Sequence, residues 1–340
     1  MVVLDHAFDS LVRYGGLSSQ FSPLFWHLGD LGVSVFFVIS GFIMMFTAGG
    51  DFARPGALGT FLAKRLIRIV PLYWLATLLM FAMSGGWKRG AIGFSELAMS
   101  FLFIPYRGTN SGLIQPVLGQ GWTLNYEMFF YVIFALALLF KDRIGIALMA
   151  MFFIGLPAVA LATNVSGVHC GTAAVFYDNP IMLLFLSGVL VGWFYRQRPD
   201  ALRLGYPFLL IGAILATDVI AAAAMGSAVA SPVFVTASRV LCVATVIVSV
   251  FATNVTEGAV ERLSEIVGDA SYSTYLFHTF VLAVMNRTVP TDGAVHGTIF
   301  VVLAVIGANL VGHLCFRLLE RPLNQILRPV FVLRSARPSA

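Results

Sequence analysis

Gly29-Asp-Leu-Gly-Val-Ser-Val-Phe-Phe-Val-Ile-Ser-Gly-Phe-Ile-Met-Met-Phe-Thr47 carries one charge, Asp30, at its edge and is otherwise apolar or small. About 20 such residues in a helix cross the hydrocarbon layer of a bilayer. The stretch therefore reads as a transmembrane helix. Ser40-Gly41 inside it is a small polar pair that lets another helix, or a ligand, come close to the backbone.

The rest of the chain agrees with lipid as its solvent. Hydrophobic residues make up 59% and charged residues 11% of the 340, and the mean hydropathy is +0.90. A soluble domain carries about 25% charged residues, and no long polar stretch remains from which to build one. The net charge of +5 is no nucleic-acid signal, because the basic residues sit at segment ends as topology determinants do. Cys170, Cys242 and Cys315 are far apart and form no CxxC pair, so neither a disulfide framework nor a metal site is expected. The first apolar stretch contains Asp5 and His6 and lacks a basic start, unlike a cleavable signal peptide.

Apolar runs predict an all-α, polytopic membrane protein of about ten spans. They cover residues 1–13, 31–48, 67–84, 123–140, 143–163, 180–195, 205–224, 232–253, 270–286 and 297–317. The first is too short to cross alone, so the natural chain is expected to begin upstream of Met1. Residues 94–105 are apolar but short and read as an interfacial or re-entrant segment. One set of alternate loops, with the C-terminal tail, holds Arg54, Lys64, Arg65, Arg68, Lys141, Arg143, Arg196, Arg198, Arg203, Arg262, Arg317, Arg321, Arg328, Arg334 and Arg337. The other holds Arg13, Lys88, Arg89, Arg107 and Arg287. A bias of roughly three to one puts both termini in the cytoplasm and calls for an even number of spans. Residues 1–325 read as one membrane domain and 326–340 as a basic cytoplasmic tail. No internal repeat or matched pair of broken helices points to an inverted-repeat transporter.

Ionisable groups within a bilayer are costly and mark function by default. Here they are His6, Glu127, Asp218, Arg239 and His278. Counted along the spans, the first four fall at similar depth in the outer half of the membrane, which predicts one shared polar cavity. His278 enters from the cytoplasmic side, nearer the middle. Asp218 and Arg239 admit two readings, a structural pair between adjacent helices or a substrate contact. Glu127 caps a helix start, pairs with Arg239, or works in the cavity. His278 is a satisfied core histidine or a cavity group. His6 reads as a general base, since a neutral imidazole suits that role near pH 7. Asp5 beside it is a poor orienting partner, because adjacent helical residues diverge by about 100°. Arg65 and Arg68, three apart and so on one helix face, read either as a stop-transfer anchor or as a phosphate clamp.

Assembled, these residues resemble the acyltransferase-3 family of integral membrane O-acyltransferases, from residue 1 to about 325. His6 matches its first-helix histidine, and Gly32 to Phe42 its second-helix signature. Arg65-x-x-Arg68 with Pro71 and Tyr73 matches the third helix. Gly121-Trp-Thr-Leu-Asn-Tyr-Glu127 matches the Trp-Ser/Thr-Leu-x-x-Glu motif. Ser271-Tyr-Ser-Thr-Tyr-Leu-Phe-His278 matches the ninth-helix pattern, and Glu320-Arg-Pro322 the closing Glu-x-Pro. Within the family, Ser100 to Tyr106 and Gly121 to Tyr131 look most like bacterial exopolysaccharide-production acetyltransferases. A basic residue that the family usually carries about ten positions before the histidine would lie upstream of Met1.

The resemblance implies transfer of an acyl group, usually acetyl from acetyl-CoA, to a saccharide hydroxyl, in a multi-pass protein of the bacterial inner membrane. Catalytic His6 and Glu127, acyl-CoA-binding Arg65 and Arg68, and cavity residues Ser40, Trp122, Asp218, Arg239, Tyr275 and His278 are expected. Acetyl-CoA is a co-substrate, and no bound cofactor or metal is expected. The acceptor is a saccharide or lipid-linked oligosaccharide. A glycolipid transporter or flippase is the competing class. The same chemistry on lipopolysaccharide, peptidoglycan or a small glycoside is the competing acceptor.

Overall fold

The computed structural model describes residues 1–85, 92–109, 112–165, 171–252 and 258–335. Lys88, Arg89, Cys170 and Arg337, used above for topology and cysteine chemistry, lie outside them. Among the described residues the chain is helical, with no strand. The α-helices are α1 Val2–Arg13, α2 Ser22–Ala48, α3 Ala57–Met83, α4 Phe94–Phe101, α5 Trp122–Ala137, α6 Asp142–Val165, α7 Thr172–Tyr177, α8 Met182–Gln197, α9 Pro207–Met225, α10 Pro232–Val250, α11 Ala259–Asp269, α12 Ser271–Thr288, α13 Gly293–Cys315 and α14 Arg321–Ser335.

Each expected apolar span falls on one of these helices. Among the described residues, five helical stretches are long and apolar enough to cross a membrane: Ser19–Ala48, Ala57–Met83, Pro207–Met225, Pro232–Val250 and Gly293–Pro329. Among the other expected spans, α5 and α8 have 16 residues each and α1 has 12, while α6 has 24 and α12 has 18. Leu209, Val233, Val240 and Leu310 stand exposed on α9, α10 and α13, as lipid-facing side chains do.

Two boundaries differ from expectation, with consequences for the site. Helix α2 begins at Ser22, not 31, because Ser22-Pro23 supplies a start and Pro is tolerated in a first turn. Asp30 is therefore inside the helix rather than at its edge. Helix α3 begins at Ala57, after Gly56 at φ 77°, not at 67. Arg65 lies about 12 Å along it instead of before the span. Two polar helices carried no hydropathy signal, α11 and α14. The latter follows a π-helical turn at Phe316–Glu320, so residues 326–335 of the basic tail are helical.

The chain divides into two units. The first comprises Met1–Ile43 and Ser187–Arg317. There α12 packs on α13, α1 lies against both, and α9 pairs with α10. Ala7 and Leu11 of α1 share a core with Leu282, Met285, Phe300 and Ala304. Two close approaches need glycine. A Cβ on Gly188 of α8 would strike the Val38 carbonyl and sit 2.8 Å from the Phe42 amide nitrogen of α2. A Cβ on Gly312 of α13 would meet Thr274 Cα at 2.6 Å.

The second unit comprises Met44–Leu186 and Leu318–Ala340. Helix α3 is its centre, touching α4, α5 and α14. Phe61, Phe130, Phe134, Phe153 and Phe185 form an aromatic core. The short segment around α4 is tied down by polar contacts. Ser100 Oγ donates to the Glu96 carbonyl at 2.8 Å and accepts from the Val117 amide at 2.9 Å. The Glu96 carboxylate accepts from Gly93 N at 2.8 Å, Thr109 N at 2.8 Å and Thr109 Oγ1 at 2.9 Å. Burial opposes its ionisation, but these hydrogen bonds together hold its pKa below the ordinary value. A depressed carboxyl stabilises the fold above its unfolded pKa and loses that contribution as pH falls through the folded one. Amide exchange around Gly93 and Thr109 is therefore expected to stay slow at neutral pH and to rise below about pH 4. Glu96→Gln should show the faster exchange already at pH 7. Equal exchange in both proteins would remove the carboxylate from this role.

Candidate functional site

His6 and His278 come together. The short α1 is held by its apolar stripe against α12 and α13, which aims His6 at His278. Nε2 of His278 lies 3.0 Å from Nδ1 of His6, with ring centroids 4.9 Å apart and planes 43° apart. His278 has no exposed surface, and its Nδ1 is 2.7 Å from the Tyr275 carbonyl oxygen. The His6 side chain is 36% exposed, and its Nε2 is 3.9 Å from Asp5 Oδ2. That distance is too long for a hydrogen bond yet short enough for charge to act. Asp5 rests on α2, its Cγ 2.7 Å from where a Cβ of Gly29 would stand. One turn further along α1, Ser10 Oγ donates to the His6 carbonyl at 3.0 Å and accepts from Asn286 at 3.4 Å.

A second polar group lies in the same unit. His27 and Asp30 are three apart and share a face of α2. His27 Nε2 is 2.5 Å from Asp218 Oδ2 of α9, and both side chains are buried. Asp30 is within electrostatic reach of Arg239 on α10, as well as of His27 and Asp218. The Arg239 Nε is buried without a hydrogen-bond partner. His27, absent from the groups read in the sequence, is thus the residue paired with the Asp218 carboxylate. His27 was missed because the span had been started at 31. The Ser22-Pro23 start and the His27-x-x-Asp30 spacing were the signals available.

Glu127 is described in the second unit, with Arg65. It lies one turn inside α5. There it is buried and accepts a hydrogen bond from Tyr131 Oη. Arg65 is within electrostatic reach of Glu127, Arg68 and Arg328. Its guanidinium lies 5.5 Å from the Phe61 ring centroid and 5.8 Å from that of Tyr131. One Arg65 NH2 group donates to Thr47 Oγ1 at 3.2 Å, while its Nε is buried without a partner. Arg68 is exposed. Arg328 was hidden because the tail gave no sign of a helix packing on α3.

Ser40 is buried on α2 beside the Gly188 crossing. Trp122 opens α5 half-buried, edge-on to Tyr126 at 5.8 Å. Tyr275 serves His278 through its carbonyl. Among the described residues no cluster of three or more His, Cys, Asp or Glu side chains is arranged to hold a metal ion.

An acyltransferase domain, the family designated Acyl_transf_3, matches residues 1–313. The chain is 34% identical over 301 residues to the exopolysaccharide production protein ExoZ of Rhizobium meliloti (strain 1021). That match covers 87% of this chain and 90% of the relative. No solved structure matches the chain at a significant level.

Proposed function

The chain belongs to the acyltransferase-3 family of membrane acyltransferases, and from that premise we propose that it moves acetyl from acetyl-CoA to a hydroxyl of a bacterial exopolysaccharide or its lipid-linked precursor. The observation that carries the chemistry is His6: a half-exposed imidazole with one ring nitrogen engaged by His278 and Nε2 without a hydrogen bond. The acceptor class rests on the relative's role in exopolysaccharide production.

His6 Nε2 takes the proton from the sugar hydroxyl as its oxygen attacks the thioester carbonyl. The carbon–sulfur bond then breaks, and the CoA thiolate recovers the proton from the imidazolium. Asp5, 3.9 Å from Nε2, favours the charged ring when its carboxyl is ionised. Arg65 and Arg68 hold the phosphates of CoA. The clustering of Arg65, Arg68 and Arg328 supports this, because like charges brought together favour an anion among them. Glu127, hydrogen-bonded by Tyr131, balances Arg65 and keeps its side chain in place. The protein sits in the bacterial inner membrane. Helices α1, α2, α3, α5, α6, α8, α9, α10, α12 and α13 are its ten spans, and both termini are cytoplasmic.

The test is label transfer from radiolabelled acetyl-CoA in membranes. Label is expected in a lipid-linked or polymeric saccharide. Arg65→Ala should raise the KM for acetyl-CoA by roughly 10- to 100-fold, the loss of a charge-assisted contact of about 1.5–3 kcal/mol. It should change the KM for the saccharide little. Transport of a glycolipid with no label transferred from any acyl-CoA would favour the flippase reading instead.

A further inference from the structure

We propose that His278 is a positioning residue that selects the tautomer of His6, an inference resting on the reading of His6 as general base. The argument begins at a carbonyl. The Tyr275 oxygen can only accept, so the contact at 2.7 Å requires the hydrogen of His278 to be on Nδ1. His278 has no exposed surface, and a charged ring there would forfeit its hydration, so the ring is neutral. Its Nε2 then offers a lone pair and no hydrogen. The partner 3.0 Å away, Nδ1 of His6, must supply the hydrogen. A neutral His6 with its hydrogen on Nδ1 carries its lone pair on Nε2. That is the nitrogen left without a hydrogen bond and facing Asp5 at 3.9 Å. The chain of contacts, carbonyl to His278 to His6, thus leaves a base at the half-exposed end.

Packing holds the chain in register. Thr274, one residue before Tyr275, lies against Gly312 of α13 where no Cβ fits. The turn of α12 that presents the carbonyl therefore cannot slide on α13. Ser10 and Asn286 join α1 to α12 further along, beside the shared apolar core. Without the acceptor at His278, both tautomers open to His6, and the one with hydrogen on Nε2 cannot accept a proton there. The same acceptor stays bonded when His6 becomes an imidazolium, so the contact persists through the transfer.

The experiment compares wild type, His6→Ala, His278→Gln, His278→Leu and the double variant His6→Ala/His278→Leu in membranes, with rates normalised to folded protein. The Gln side chain carries an amide oxygen near the position of Nε2 and can accept from His6; Leu cannot. His278→Leu is expected to lower kcat on the order of 100-fold with both KM values within about threefold. His278→Gln should recover at least tenfold of that loss. In the His6→Ala background, His278→Leu should cost nothing further, since there is no tautomer left to select. If His6→Ala is inactive while His278→Leu keeps wild-type kcat, the positioning role is wrong and the base stands. Gln no better than Leu in folded protein would equally overturn it and assign His278 to packing. If His6→Ala is active, the base reading itself fails, and the positioning role with it. Should His278→Leu not fold, His278→Met supplies the side chain lacking a strong acceptor, and the comparison with Gln decides.

Discussion

His6→Ala is expected to lower acyl transfer in membranes by about 10²–10⁴-fold, the usual contribution of a positioned general base, with the amount of folded protein unchanged. The second half of that expectation is what makes the first interpretable. His6 is half-exposed, while Ala7 and Leu11 on the same helix carry the buried contacts of α1. Truncating His6 removes an imidazole without opening that core. His278 keeps its bond to the Tyr275 carbonyl and loses one donor, a modest cost. Asp5→Asn should act in the same direction but weakly, because its carboxylate works on Nε2 across 3.9 Å rather than through a hydrogen bond. The measurement is radiolabel entering saccharide, with protein quantified in the same membranes. Equal label in wild type and His6→Ala would move the base elsewhere and take the mechanism above with it.

The helices were legible in the sequence because hydropathy is local. Every apolar run expected to span corresponds to a helix. Hydropathy does not reveal the start of α2 at Ser22, since a span bounded by charged residues leaves out the ionisable ones within the helix. His27 and Asp30 fell outside the predicted range on that account. Helices α11 and α14 were invisible because helices made by packing a polar sequence on a partner leave no apolar window. The pairings could not be read at all. His6 and His278 are 272 positions apart, His27 and Asp218 191 apart, and nothing local encodes which helix faces which. Depth counting sets Asp218 level with Arg239 and leaves a structural pair and a substrate contact both open. It had no means of knowing that a histidine on α2 stood nearer. Arg65 is displaced in the same way. Hydropathy places it just before the third span, as an anchor or a phosphate clamp. The longer α3 instead carries it to the level of Glu127 and Tyr131.

His27→Leu is expected to destabilise the folded protein by about 3–5 kcal/mol, because it strands the Asp218 carboxylate away from water and from its partner. Both side chains of the pair are at least 96% buried, judged from the 4% and 2% of surface they expose. Arg239 is the nearest source of compensation, but it already faces Asp30. For a protein of this size the loss corresponds to roughly 4–7 °C in the thermal midpoint in detergent or lipid. Asp218→Asn should cost less, since an amide still accepts from the imidazole. The double replacement His27→Leu/Asp218→Leu should recover most of the midpoint, as replacing both members of a buried pair by apolar groups often does. That recovery separates the two readings the sequence left open. A double variant that is both stable and active assigns the pair to structure. A double variant that regains its midpoint yet transfers no acyl group assigns the pair to the substrate. An unchanged midpoint in His27→Leu alone would show that Asp218 does not depend on this histidine, and the geometry of the cluster would carry no energetic weight.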